Sequence, residues 1–163
     1  MVVGSNPSWL TDREANIGVL TDYFVARDDH DAARAHAAIA GPKKLGFKTA
    51  EWKSIDPAVN LAVLEEIVNG TNTLEWIKAH PDEPVRVAGS DEEDHWVFRV
   101  TAQHAETLAS LPDDVRSIAE RWAKSEELHG SDPSDLADVL VSLRGLAREA
   151  RDTRQGLYCW VSL

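Results

Sequence analysis

The stretch SDPSDLADVLVSLRGLAREARDTRQGLYCWV, residues 131–161, decides the fold class. Leu136, Val139, Leu140, Leu143, Leu146, Ala147 and Ala150 recur at helical spacing and fall within one stripe of roughly 120°, which predicts a long helix with one face in the core. Asp132-Pro133 starts it: the carboxylate accepts N–H groups left over in the first turn, and proline at the first helical position has no N–H to leave unpaired. Gly156 breaks it. Leu157-Tyr158-Cys159-Trp160-Val161 then reads as a terminal strand with Leu157, Cys159 and Val161 on one face and Tyr158 and Trp160 on the other. A long core helix feeding a last strand calls for a sheet for that helix to cover.

Working outward, the sheet's other strands are found at Gly18 to Arg27, at Phe47 to Ile55, near Val85-Arg86-Val87, and at His95 to Val100, where Trp96, Phe98 and Val100 alternate with His95, Val97 and Arg99. Helices are predicted from Asp31 to Ile39, behind a cap at Asp28 or Asp29, and from Asp56-Pro57 to Gly70. Three more fall around Leu74 to Ile77 before Pro81, from a Thr101 cap through Ser110, and from near Pro112 through Trp122. Strands and helices that do not alternate strictly give an α+β fold: a small mixed or antiparallel sheet of four to five strands packed by about five helices. Residues 17–163 form one domain. Residues 1–16 are an N-terminal extension, with a capping-box spacing at Thr11 and Glu14 and with Trp9 expected to dock on the body.

The run Ser54-Ile55-Asp56-Pro57-Ala58-Val59-Asn60-Leu61-Ala62-Val63-Leu64-Glu65-Glu66-Ile67-Val68-Asn69-Gly70 resembles the strand-to-helix segment of the YfbM-like family, a bacterial domain of unknown function. The likeness continues where Val100-Thr101 enters a helix and from Leu136 to Trp160, and covers residues 18–162 as a pattern. The N-terminal extension and the six tryptophans depart from it. The resemblance implies an α+β fold and assigns no activity to any residue.

Composition narrows the function classes. Seventeen Lys and Arg against 28 Asp and Glu leave a formal charge of −11, which argues against broad nucleic-acid binding. The 43% hydrophobic and 28% charged content is that of an ordinary globular domain, and no apolar run is long enough to cross a bilayer. The single Cys159 excludes an internal disulfide and, with no secretory pattern at the start, points to the cytoplasm. Phosphate-loop, dinucleotide, zinc-protease and nucleophile-elbow motifs are all missing, so no cofactor is expected. Six histidines, at 30, 36, 80, 95, 104 and 129, are scattered without metal-ligand spacing, and no metal site is expected; Asp91-Glu92-Glu93-Asp94 beside His95 reads as a solvated acidic turn.

Two functional readings stand. In the first, the chain is a cofactor-free protein-interaction module of the inhibitor or immunity type, whose Asp91, Glu92, Glu93 and Asp94, with Trp52, meet a partner's basic surface. In the second it is a small-ligand binder or enzyme with an aromatic cleft of Tyr23, Trp52, Tyr158 and Trp160. Asp22, Glu51 and Asp56 are candidates for paired carboxylates if the first two strands are neighbours, although Asp56 already serves as a helix cap. Cys159 is expected to be a small buried group rather than a nucleophile. Arg144, Arg148 and Arg151 line one flank of the last helix, suited to its C-terminus or to an acidic partner.

Overall fold

In the computed structural model, residues 19–163 are described, so the extension and its Trp9 lie outside the described residues. The strands are β1 (Leu20–Ala26), β2 (Thr49–Lys53), β3 (Val85–Ala88), β4 (His95–Arg99) and β5 (Gly156–Ser162). They form one antiparallel sheet in the order β2-β1-β5-β4-β3, with the last strand in its centre. The helices are α1 (Asp29–Ala33), α2 (Val59–Asn69), α3 (Thr73–Ala79), α4 (Ala102–Ala109), α5 (Arg116–Ala123) and α6 (Pro133–Asp152). The fold is α+β, and among the described residues no helix is long and apolar enough to cross a membrane.

The alternation read in β4 and β5 sorts the core into two layers. Tyr23, Trp96, Phe98, Leu157, Cys159 and Val161 share one cluster with the apolar stripe of α6 and with Leu61, Leu64, Leu108 and Trp122. Phe24, Val97, Tyr158 and Trp160 face the other way, against Ala32, Ala35 and Phe47. Leu140 and Leu143 are fully buried, each contributing about 1.5–3 kcal/mol of transfer free energy. Cys159 is fully buried, and burial pushes its thiol well up, which keeps it an apolar filler.

Capping follows the sequence at three of the predicted helix starts, the first being Asp28, which accepts from the Asp31 N–H at 2.8 Å. Asp132 accepts from the Ser134 N–H at 2.8 Å, and one Asp56 oxygen accepts from the N–H groups of Ala58, Val59 and Asn60. Three expectations are corrected. The helix expected from Asp31 to Ile39 stops at Ala33, passes into a 3-10 turn at Arg34–Ala37 and leaves Ile39 fully exposed. Ala32 and Ala35, three residues apart and both fully buried, are what the segment presents to the sheet, and the three-residue repeat of a 3-10 turn aligns such a pair. Thr101 does not cap α4 with its side chain; its hydroxyl donates to Glu83 at 3.0 Å. The helix expected near Pro112 starts at Arg116, because Arg148 donates to the Ala109 and Leu111 carbonyls and Arg144 to those of Pro112 and Asp113, holding the connection open. The arginine flank is thus spent inside the molecule, and Arg151 pairs with Asp152.

Candidate functional site

Antiparallel pairing of β1 with β2 and β5 places Val97, Trp160, Asp22 and Glu51 in one row across four strands. Asp22 therefore points to the sheet face away from α6, between an indole and a second carboxylate. It is only 5% exposed. Over it runs Gly41, at φ +84°, where an added Cβ would lie 3.1 Å from Asp22 Oδ2 and 3.3 Å from Trp160 Cζ3. Only glycine fits that backbone at that distance.

Asp22, Glu51, Trp52 and Trp160 line a cleft of about 280 Å³, shared with Lys53 and with apolar Leu20, Ile39 and Ala40. Among the described residues, no side chain or backbone N–H donates to the Asp22 carboxyl group. Burial, and then the negative charge of Glu51, push its pKa up to about 6, against the pull of Lys43. Lys43 itself bonds Glu51 at 2.9 Å on the exposed side. The Nε1–H groups of Trp52 and Trp160 are buried without an acceptor among the described residues.

The paired carboxylates are thus Asp22 and Glu51, while Asp56 is occupied as the cap of α2. Of the four aromatic residues expected to form a cleft, only Trp52 and Trp160 line it. Tyr23 is on the opposite face, donating to the Ile55 carbonyl at 2.6 Å, and Tyr158 donates to Asp29 at 2.8 Å. Adjacent positions in the central strand β1 point to opposite faces, and Tyr23 is buried in the layer against α6 while Asp22 faces the cleft. Trp52 and Trp160 also belong to different layers, and Trp52 reaches the cleft from the edge strand β2. The sequence spacing missed Ile39, Ala40 and Gly41, which come from the connection that ends the shortened first helix.

The acidic turn is largely engaged by its own neighbours. Asp91 pairs with Arg86, Glu93 with His36 and Asp94 with His95, which leaves Glu92 with no ion pair among the described residues. His36 was not readable as a member of this group, because 57 residues separate it from Glu93.

A second buried carboxylate lies among the helices. Glu65, 2% exposed, accepts from Thr107, from Asn69 at 2.9 Å and from Gln103 at 3.0 Å. Gln103 in turn accepts from Trp76 Nε1, and the Trp76 ring stacks on that of His80 and meets that of His104 at a tilt, each centred 4.4 Å away. Burial raises the Glu65 pKa, but the three donors outweigh it and hold the group below its ordinary range. Its hydrogen bonds hold α2 and α4 together, while Trp76 ties α3 to them. Comparison of the chain with family models, curated proteins and solved structures gives no match.

Proposed function

We propose that this protein is a small-ligand-binding domain whose cleft over β1, β2 and β5 takes a small organic cation, such as a primary amine. The observation that carries the reading is the Asp22 carboxyl group, almost wholly buried, facing the cleft and without a donor among the described residues. In such a place the charged carboxylate is less well stabilised than in water, and a positive charge or an N–H from a ligand would offset that cost. A bound ammonium group would supply both, and the Trp160 ring beside Asp22 is a surface that attracts cations when they lie over its face. The volume, just below the range of about 300–1,000 Å³ for small-molecule sites, restricts the ligand to a compact molecule.

The cleft is favoured over the acidic turn as a docking surface because three of that turn's four carboxylates already have cationic or histidine partners. The cytoplasmic setting and the YfbM-like resemblance are kept as parts of this reading; both rest on sequence alone. No catalytic step is assigned. The test is a calorimetric titration of compact amines, with their alcohol and carboxylic acid counterparts as controls, into the wild type and Asp22→Asn. Amines should bind the wild type and lose about tenfold or more in affinity to the variant, the cost of removing a charge-assisted bond. Equal binding to both proteins, or no binding of any amine, would overturn the reading.

A further inference from the structure

The connection that roofs the cleft is pinned at its other end by histidines, and their arrangement there has a chemistry of its own. His36, in the 3-10 turn, meets Glu93, from the turn before β4, through its Nε2. His95, the first residue of β4, stacks on His36 with ring centres 4.6 Å apart and planes 20° apart. One donor atom from each of His36, Glu93 and His95 lies within 4.8 Å of the others.

We propose that these three residues bind a divalent transition-metal cation of the zinc class. Two imidazole nitrogens and one carboxylate oxygen are a recurrent three-residue donor set for zinc, with a fourth position left to water or a ligand. Bond lengths of about 2.0–2.2 Å in a tetrahedral arrangement require donor atoms about 3.3 Å apart. The three donor atoms already lie within 4.8 Å of one another, so side-chain rotation is the change that closing to that distance asks for. Both histidines are half-buried, with side-chain exposures of 26% and 33%, which leaves room for one imidazole to turn out of the stack and aim its lone pair at the cation.

The surroundings of His95 add an independent reason. Asp94 sits 2.9 Å from Nδ1, and the His36 carbonyl 3.0 Å from Nε2. A carboxylate on Nδ1 fixes the tautomer that offers Nε2 to a metal and increases its basicity, the arrangement common behind zinc-binding histidines. Nε2 now faces the His36 carbonyl, so the cation would take the place of that contact. The set escapes sequence spacing because the sheet, not a helix face, brings residue 36 to residues 93 and 95. The site is separate from Asp22 and does not depend on the amine reading.

The experiment is a calorimetric titration of ZnCl2 into chelator-stripped, tag-free protein, with CoCl2 absorption as a second readout of coordination. The wild type should take up one equivalent and, with cobalt, show the intense visible bands of a four-coordinate ion. His36→Ala and His95→Gln should each weaken uptake about 100-fold, and Asp94→Asn about tenfold, as loss of an outer partner does. Glu92→Gln, next to the site but outside it, should leave uptake unchanged. Circular dichroism of each variant separates loss of the site from loss of the fold. No zinc uptake by the wild type would overturn the proposal without recourse to any variant, as would uptake that survives in a folded His36→Ala, His95→Gln double variant.

Discussion

Glu65, among the helices, and Asp22, on the sheet face away from α6, are buried to 2% and 5% exposure. Glu65 collects three hydrogen-bond donors from α2 and α4, and its pKa falls; Asp22 collects none among the described residues, and its pKa rises to about 6. Exposure is nearly the same in the two places, so the opposite directions come from the donors around Glu65 and from the Glu51 charge beside Asp22. A carboxylate surrounded by matched donors is part of the scaffold. One left unmatched at a cleft costs stability, and such a cost is the mark of a site arranged for something other than folding.

The comparison breaks first at Glu65. Glu65→Ala strands the donors of Thr107, Asn69 and Gln103 inside the protein, and the expected loss is about 3 kcal/mol or more in urea unfolding at pH 7. A loss below about 1 kcal/mol would mean that water reaches those donors and that the network is not the scaffold it is taken to be.

Asp22 should show the opposite sign. Its folded pKa lies about two units above the ordinary 3.8, worth at most about 3 kcal/mol at 1.36 kcal/mol per unit. The native state therefore holds a proton that the unfolded chain has lost between pH 4 and 6, and wild-type stability falls as pH rises through that window. Asp22→Asn removes this loss, so the variant should be more stable than the wild type above pH 6 and converge with it below pH 4. Asp56, also raised to about 6 by burial, contributes the same slope to both proteins. His104, pushed down to about 4 by burial, contributes stability above pH 6.5 that is lost as pH falls towards 4. The difference between wild type and variant cancels both. A variant less stable than the wild type at pH 7.5 would show that Asp22 has an internal donor after all.

These two residues also mark the limits of what the sequence revealed. The stripe of α6 and the alternation in β4 and β5 were legible because burial on one face imposes a period, and the period survives in the chain itself. The caps at Asp56 and Asp132 were legible because a cap is local. Pairing of β1 with β2 is not local: nothing in the spacing of Asp22 and Glu51 shows that they are directly opposite. For the same reason Tyr23 and Trp160 were grouped in one cleft when the register places them on opposite faces, and His36 was not connected with Glu93. Ala content in residues 31–39 argued for a helix, yet the packing of Ala32 and Ala35 on the sheet prevailed over intrinsic propensity.

A smaller effect is expected at the roof of the cleft. Gly41 has φ +84° and ψ 179°, a region that is nearly glycine's alone, and its missing Cβ leaves room for Asp22 Oδ2 and the Trp160 ring. Gly41→Ala should cost about 1–2 kcal/mol in unfolding and shift Trp160 fluorescence, because the segment must lift to relieve the contact. Lifting it would hydrate Asp22, so its raised pKa should fall with the same substitution. Unchanged fluorescence and an unchanged carboxyl titration would show that the roof does not control the burial of Asp22.

The smallest effect distinguishes burial from charge as the origin of the Asp22 shift. Glu51 raises its pKa and Lys43 lowers it, although the two form a single exposed ion pair with side-chain exposures of 55% and 68%. Breaking such a pair changes stability by only about 0.5 kcal/mol, since solvent screens both partners. The two substitutions should nevertheless move Asp22 in opposite directions. Glu51→Gln removes a like charge and brings the carboxyl titration down; Lys43→Met removes the opposing charge and takes it up. Carbon-detected NMR titration of the Asp22 side chain reads both. Raising the salt concentration should shrink the two shifts together, because these charges interact partly through solvent, while the part of the shift due to burial should persist. If neither substitution moves the midpoint, burial alone sets it, and the carboxylate row across β1 and β2 has no electrical part in tuning Asp22. If both move it in the same direction, loss of the ion pair has changed the shape of the cleft, and the contrast with Glu65 must then be drawn from packing instead of from donors.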